Sequence, residues 1–488
     1  MIDVQTLKIN IIKLGIRGEL TSGFSSEKTG DEALNQAIKE KDNAYKSGLI
    51  RKEKKGALIN DEELPFDIPD NWAWARLSDI SSIESGGTPD RSIAKYWNGN
   101  IPWLKIGDLK GKYVSECSEY ITLEGLNNSS AKIFKKGTML YTIFATIGNV
   151  SILDFESSTN QAIAGITFYG GMNTNYLYYV LIGLKDILVG KSHGMTQANI
   201  NQTILKNTVI PIPPIDEQES ISKKLDELFD ILDKVETAQK DVLELRDGLE
   251  RKVINLALKG KLVEQKAEEG NANDLLKKIK KEKQDLIKAK ILRNEKPLNT
   301  IEEDEIPFVI PSSWVWVRLG DLGSYKKGPF GSALTKSMFV PKSDNSVKVY
   351  EQKNAIQKDW HLGDYFITKE YYLDQMQSFE VGGGDIIVSC AGTIGETYVL
   401  PDDAEEGIIN QALMRIRLSQ FVDVDYYLMY FDAILKGAAN DEGKGTAIKN
   451  IPPFDILKNM LFALPPYEEQ KRIVSRVKEL INICDLVA

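Results

Sequence analysis

The stretch PIPPIDEQESISKKLDELFDILDKVETAQKDVLELRDGLERKVINLALKGKLVE, Pro211 to Glu264, decides the fold. Its Pro213-Pro214 pair can sit neither in a helix interior nor in a paired central strand. Asp216 follows as the expected N-cap, and Glu219 stands where it completes a capping box. Apolar residues then recur at Ile221, Leu225, Leu228, Leu232, Val235, Val242, Leu249, Val253 and Leu256. That 3–4 spacing predicts a coiled-coil seam, and polar Gln239 and Arg246 interrupt it at positions that fix register. Gly260 marks its end. At about 1.5 Å per residue the helix extends roughly 70 Å. Taken alone, its plain reading is a spacer or a dimerisation rod.

The same sequence returns at both ends of the chain. PPYEEQKRIVSRVKELINICDLVA (Pro465–Ala488) reads like the first half of the stretch, with Ile473, Val477, Leu480, Cys484 and Val487 on the seam. LKINIIKLGIRGELT (Leu7–Thr21) reads like the second half, LERKVINLALKGKLV (Leu249–Val263). Laid head to tail, the two ends rebuild a second copy of the helix. This circular arrangement predicts two antiparallel helices, one continuous and one split, with a globule at each end.

The intervening sequence is also written twice. ELPFDIPDNWAWARLSDI (Glu63–Ile80) matches EIPFVIPSSWVWVRLGDL (Glu305–Leu322). Trp72, Trp74 and Arg76 alternate as at a strand start, and the tryptophans read as core anchors. Thr146-Ile147-Gly148 answers Thr393-Ile394-Gly395, and Asn160-Gln161-Ala162 answers Asn410-Gln411-Ala412. Short helices are expected at Asn175–Leu188 and Asp425–Leu435, and each half closes on Ile-Leu-Lys-Asn and a strand into Pro-Pro. The chain is thus one unit of about 245 residues repeated. Residues 81–136 and 323–383 align poorly, so one frame presents two different surfaces.

Charged helical segments are expected at 31–55 and 273–296, the first ending in Arg51, Lys52, Lys54 and Lys55. These clusters read as solvated helix faces or as phosphate and partner contacts. The 488 residues suffice for two or three domains. No apolar run approaches a membrane span, and Lys8, Lys13 and Arg17 interrupt the N-terminal segment too early for a signal peptide. Cys117, Cys390 and Cys484 are scattered without metal-like spacing, which fits a reducing cytoplasm. With only His193 and His361, histidine metal sites and histidine-dependent triads are disfavoured. The net charge of −9 weighs against bulk polyanion binding, yet a local basic face can still hold DNA.

Motifs for chemistry are missing. Gly437–Lys444 has the wrong number of residues between its glycines for a phosphate loop, and Gly445 stands where Ser or Thr is required. Leu464-Pro465-Pro466-Tyr467 matches only the last three positions of the adenine-methyltransferase tetrapeptide, which begins with Asn, Asp or Ser. No glycine-rich cofactor loop follows a strand. The chain is expected not to be an enzyme.

These residues together resemble the specificity (S) subunit of Type I restriction–modification systems, the HsdS family. The resemblance covers the full length. It rests on the split helical repeat, the Pro-Pro-x-x-Glu-Gln entries at Pro213–Gln218 and Pro465–Gln470, and SGGTPDRSIAKYWNGNIPWLKIGDL (Ser85–Leu109). The Thr-Ile-Gly and Asn-Gln-Ala marks add to it. The second globule lacks the Gly-Gly-Thr-Pro and Ile-Pro-Trp stretches. The implied fold class is α+β: two mixed α/β target-recognition globules joined by a pair of long antiparallel coiled-coil helices, in a circular two-fold pseudo-repeat. The implied segments are scaffold at 1–55, a first recognition domain at 56–212, a central spacer at 213–300, a second recognition domain at 301–464 and a closing helix at 465–488.

The resemblance implies that each globule reads one half of a bipartite double-stranded DNA target. It implies docking of two modification subunits on the helices and of restriction subunits through that core. No cofactor is expected in this chain: S-adenosylmethionine belongs to the modification partner, ATP and magnesium to the restriction partner. Candidate DNA-facing residues lie in the divergent loops. In the first globule they are Thr88, Arg91, Lys95, Tyr96 and Lys105, with Ser192, His193, Thr196, Gln197 and Asn199 from a later loop. In the second they are Lys326, Lys327, Ser332, Lys336, Gln352, Lys353, Asn354, Lys444 and Thr446. Arg, Lys, Asn and Gln pair with base edges, whereas Ser, Thr and other Lys more often hold phosphate. Tyr96 and Trp97 read as core ahead of stacking residues. The competing reading is a coiled-coil scaffold that binds proteins alone.

Overall fold

The computed structural model describes residues 1–51, 58–144, 146–190, 200–391, 393–441 and 452–487. The chain divides into two compact units, Met1–Lys240 and Asp241–Ala488. No helix among the described residues is long and apolar enough to cross a membrane.

The first unit opens with α1 (Val4–Ile16), α2 (Gly30–Lys46), β1 (Ala73–Arg76), the single turn α3 (Leu77–Ile80) and β2 (Ser81–Ser85). Next come β3 (Trp97–Leu104), β4 (Tyr113–Val114), β5 (Glu119–Ile121), α4 (Leu123–Asn127), β6 (Met139–Thr142), β7 (Val150–Leu153), β8 (Ser158–Thr159) and β9 (Ile163–Phe168). Then α5 (Thr174–Gly183), α6 (Lys185–Gly190), α7 (Gln202–Lys206) and β10 (Val209–Ile212) lead into α8 (Ile215–Leu258), whose 44 residues span about 66 Å.

A five-stranded sheet runs β2-β9-β6-β7-β4, a three-stranded sheet runs β5-β3-β8, and β1 pairs antiparallel with β10. One core joins scaffold to globule: Ile12 and Ile16 of α1 and Ile221 and Leu225 of α8 cluster with Met139, Tyr141 and Ile166 of the large sheet. A second cluster, with Leu104, Phe134, Leu140 and Ile163, joins the two sheets.

The α8 entry differs from the capping expected at Asp216 and Glu219. The helix begins at Ile215, because Gln218 N donates to Pro214 O at 2.9 Å. Gln218 Nε2 donates to Pro213 O at 2.9 Å, and Gln218 Oε1 accepts from Asn173 N, which caps α5, at 3.0 Å. Asp216 lies in the first turn and accepts from Ser26 Oγ. The Glu-Gln pair thus pins the helix, where a capping box would only have closed its end.

Helix α1 runs antiparallel to the first half of α8. Gln5 meets Glu236, Lys8 meets Asp233, and Thr21 donates to Glu217. Gly18 follows α1 with φ +78°, and a Cβ there would come within 2.6 Å of the Pro69 ring. Gly260, after α8, repeats this at φ +65° and 2.4 Å from Pro311. Both positions demand glycine.

The second unit contains α9 (Ala272–Lys288), β11 (Val315–Arg318), β12 (Gly323–Lys327), β13 (Ser346–Tyr350), α10 (Gln352–Gln357), β14 (Phe366–Thr368), α11 (Lys369–Tyr371), β15 (Glu380–Val381), β16 (Ile386–Ser389) and β17 (Thr397–Val399). It ends with β18 (Gly407–Ile409), β19 (Leu413–Leu418), α12 (Val424–Asp441), α13 (Phe454–Asn459), β20 (Leu461–Leu464) and α14 (Tyr467–Val487). Strand orders are β12-β19-β16-β17 and β14-β13-β18-β15, with β11 on β20. The poorly aligning segments therefore hide a shared plan. In one sheet of each globule an inner strand, β3 or β13, has an antiparallel neighbour on one side and a parallel one on the other.

The end of α8 packs on α14 in this unit, with Val253 and Ala257 against the core that holds Ile473 and Val477. The expected seam is not covered throughout: Val242 is 39% and Leu249 52% exposed. Between them Arg246 reaches Asp485 across 3.8 Å, a polar contact at the position predicted to set register. The charged helices end earlier than expected, at Lys46 and Lys288, where the chain turns through left-handed Gly48 and Lys290. Lys52, Lys54 and Lys55 lie outside the described residues.

Candidate nucleic-acid interface

In both globules the loop that follows the first sheet strand, β2 or β12, leaves the framework at one anchored glycine. Gly86 N donates to Ile163 O at 3.1 Å and Gly328 N to Leu413 O at 2.9 Å. A Cβ at Gly86 would lie 2.5 Å from Asn160 O, and one at Gly328 1.8 Å from Asn410 O. The Asn-Gln-Ala marks are these anchor points. Their asparagines close a tight turn by accepting from Ala162 N at 3.1 Å and Ala412 N at 3.0 Å, which leaves Gln161 and Gln411 exposed. The Thr-Ile-Gly marks are turns as well: Gly148 and Gly395 adopt φ +83° and +84° and donate to Thr142 O and Ser389 O.

Beyond Gly86 the first loop is rigidly held. Trp103 Nε1 donates to Gly87 O at 2.8 Å and Trp97 Nε1 to Asp90 O at 3.1 Å. The two indoles meet edge to face with centroids 5.1 Å apart. Arg91, 55% exposed, lies over Trp97 with its guanidinium carbon 3.7 Å from the ring centroid, and 4.9 Å from that of Trp103. Its Nη1 donates to Glu119 Oε2 at 2.6 Å, while Lys105 Nζ donates to Glu119 Oε1 at 2.9 Å. The cations, Arg91 first, hold the Glu119 carboxyl below the usual range, and Glu119 in turn raises Lys105.

The structure thus gathers Arg91 and Lys105 around Glu119, which strand register places opposite Trp103. Lys95 pairs with Glu124 on α4, which holds its ammonium above the ordinary value. Thr88 donates to Gln161. Tyr96 and Trp97 are half-buried and not fully in the core, and the Trp97 face carries Arg91. Ser192, His193, Thr196, Gln197 and Asn199 lie outside the described residues, as do Lys444 and Thr446.

The second set is not brought onto one surface. Leu334, in the loop that carries Ser332 and Lys336, packs with Val349 and Ile408. Ala355, on the helix that carries Gln352 and Lys353, packs with Tyr350 and Ile409. Val349 and Tyr350 are consecutive residues of β13, as Ile408 and Ile409 are of β18, so the two groups lie on opposite faces of that sheet. Asn354 is fully buried. It donates to Asp359 O and Leu362 O at 2.9 and 2.8 Å and accepts from Glu351 N at 2.8 Å, so its polar groups close its own loop. The reading of Asn354 as DNA-facing is corrected on that ground. Lys353 pairs with Glu351 at 2.9 Å.

Lys326 sits 4.6 Å above the Phe379 ring, opposite Arg415 in the β12–β19 register. Burial pushes its ammonium below the ordinary value, and Arg293 and Arg415 add to this. Lys327, Ser332 and Lys336 are exposed. The same loop projects Phe330, 88% exposed, an apolar residue among the polar candidates. Its flanking glycines, Gly328 and Gly331, were the available signal. Glu119, a carboxylate outside the set of candidate cations and amides, carries no sequence signal for its contacts with Arg91 and Lys105. Among the described residues no group of three or more His, Cys, Asp or Glu is placed to hold a metal ion.

A family model described as the Type I restriction modification DNA specificity domain matches residues 69–245 and again 311–488. The chain is 24% identical to the Type I restriction enzyme EcoAI specificity subunit of Escherichia coli, over 99% of this chain and 90% of that protein. It is 23% identical to the EcoEI specificity subunit of the same organism over the same shares. One chain from a solved structure of the type I R-M system superposes with a TM-score of 0.57, covering 86% of this chain and 93% of that one at 16% identity. That likeness concerns the fold.

Proposed function

Because the chain belongs to the Type I restriction modification DNA specificity family, we propose that it recognises an interrupted, asymmetric DNA sequence, one half per globule. The family role is DNA sequence recognition without catalysis by this subunit. The observation that carries the two-reader assignment is that the family model matches twice while the loops leaving the two anchored glycines present different residues, Arg91 over Trp97 in one and exposed Phe330, Ser332 and Lys336 in the other. A repeated frame with unlike loops suits two unlike half-sites, about one helical turn apart on one face of a duplex.

In this reading residues 56–212 and 301–464 are the readers, and 1–55, 213–300 and 465–488 are the scaffold that sets their spacing. The scaffold docks two modification subunits, whose repeated binding surface follows from the internal pseudo-symmetry. Those subunits carry S-adenosylmethionine and methylate adenine. Restriction subunits, with their ATP and magnesium, join through that core, and the assembly works in the cytoplasm. In the first reader Arg91, Lys95 and Lys105 face DNA with Thr88. In the second, the loop bearing Ser332 and Lys336 does so beside Lys326 and Lys327, and Gln352 and Lys353 take a lesser part.

The test is methylation mapping. The chain is co-expressed with its modification subunit in an unmethylated host, and genomic DNA is sequenced for modified adenines. One interrupted, asymmetric motif is expected. Deleting residues 323–460 should erase or alter one half only. A stable complex that leaves no modified motif would overturn the proposal.

A further inference from the structure

We infer that Arg91 reads a base rather than holding a phosphate: its guanidinium, shelved on Trp97 and oriented by Glu119, pairs with a guanine edge in the first half-site. The inference rests on the two-reader proposal and deepens it. Three observations carry it. The first is the carboxylate. A phosphate contact draws on net positive charge, and Glu119 beside both Arg91 and Lys105 reduces that charge and repels the DNA backbone. The donors of Arg91 survive the pairing, since only Nη1 meets Glu119, and donors are what base reading requires.

The second is orientation. An ordinary surface arginine samples many rotamers, but here the guanidinium lies 3.7 Å over one indole while Glu119 holds its end. The indole N–H groups of Trp97 and Trp103 fix the backbone leading into it, at Asp90 and Gly87. A planar fork held in one plane suits bidentate pairing with guanine O6 and N7; a phosphate also accepts such a fork, so it is the neighbouring Glu119 carboxylate that decides against the backbone. The third is exposure. The side chain remains 55% accessible despite these contacts. Trp97 and Glu119 are positioning residues.

The experiment compares R91K, R91A, W97F, W97A and E119Q by methylation mapping of the co-expressed complex. The second half of the motif serves as an internal control for folding. The unaltered chain should specify a guanine in the first half. R91A and R91K should both relax that one position, roughly 10- to 100-fold in discrimination, with the second half intact. W97A should relax the same position, W97F less so, and E119Q should shift it without general loss of methylation. If R91K keeps the full motif, a positive charge suffices and the inference is overturned. Relaxation spread over several positions or both halves overturns it too. If the unaltered chain yields no interrupted motif, the two-reader proposal fails, and this inference falls with it.

Discussion

The indole N–H of Trp72 donates to the buried carboxylate of Glu217 at 2.9 Å, tying the strand entering the first globule to the first turn of α8. Trp314 repeats this with Glu469 at 3.0 Å in the second unit. A buried carboxylate needs such donors, because leaving it unpaired costs several times what the bond contributes. Trp72→Phe keeps most of the ring volume and removes the donor. It should lower stability by about 1.5–3 kcal/mol, measured by urea unfolding of the full chain. A loss within error would show that Thr21, which also donates to Glu217, suffices alone.

Glu469 has a pH signature. Burial raises its carboxyl above the ordinary value, against the opposing hydrogen bonds from Gln265 and Trp314. A raised carboxyl contributes stability that is fully present below the unfolded-state value near 4.5 and is lost as pH rises through the folded-state value. Glu469→Gln removes the titration while keeping an acceptor for both donors. The variant should therefore gain stability relative to the parent as pH rises above the ordinary carboxyl value of 4.5 and lose that advantage below it. Thermal unfolding on both sides of that value is the check. A constant offset would assign the carboxyl an ordinary value.

Arg318 ties the chain entering the second globule to that globule. Its guanidinium donates to Asn299 O, Asn459 O and Thr300 O at 3.2, 2.6 and 2.7 Å. Arg76 repeats the pattern toward Asn207 O and Leu58 O. A lysine ammonium cannot reach three carbonyls spread around a planar fork. Arg318→Lys should cost about 2 kcal/mol or more through the carbonyls it abandons. It should also quicken proteolysis between residues 295 and 305. Unchanged protease sensitivity would argue that Glu305 and the lysine hold this segment by themselves.

What the sequence made legible were residues that hydrogen-bond within a repeated frame. The glutamines of the Pro-Pro-x-x-Glu-Gln entries and the arginines of the Arg-Leu pairs satisfy backbone carbonyls and amides, and Trp72 and Trp314 donate to the entry glutamates, so these residues recur in order and can be read in one dimension. The sheets built on β3 and β13 were not legible. Strands such as Glu119–Ile121 and Ser158–Thr159 are too short for any periodicity, and what the two globules share there is strand pairing without residue identity. Arg91 could be picked as a loop cation, but Glu119 is 28 residues away and meets it through the β3–β5 pairing. Asn354 failed for a different reason. Asparagine closes loops with the same amide that reads adenine, and only the fold shows that Asp359, Leu362 and Glu351 already occupy it.

Phe330 gives the last prediction. An aromatic side chain 88% exposed at a loop tip has no packing role in the globule. The loop beneath it is firm, anchored at Gly328 N to Leu413 O and at Tyr371 Oη to Ala333 O. Its neighbours Lys327, Ser332 and Lys336 are exposed and suited to phosphate oxygens, which would carry the ring toward base surfaces in a groove. Phe330→Ala should leave stability within about 0.5 kcal/mol, as for other exposed positions. In the complex with its modification subunit it should weaken binding to target DNA by about tenfold and relax the second half of the motif alone. Phe330→Leu, which keeps an apolar tip, should recover part of the loss. Binding and motif both unchanged in the alanine variant would move the second reading surface away from this loop, toward Gln352 and Lys353 on the opposite face of the sheet.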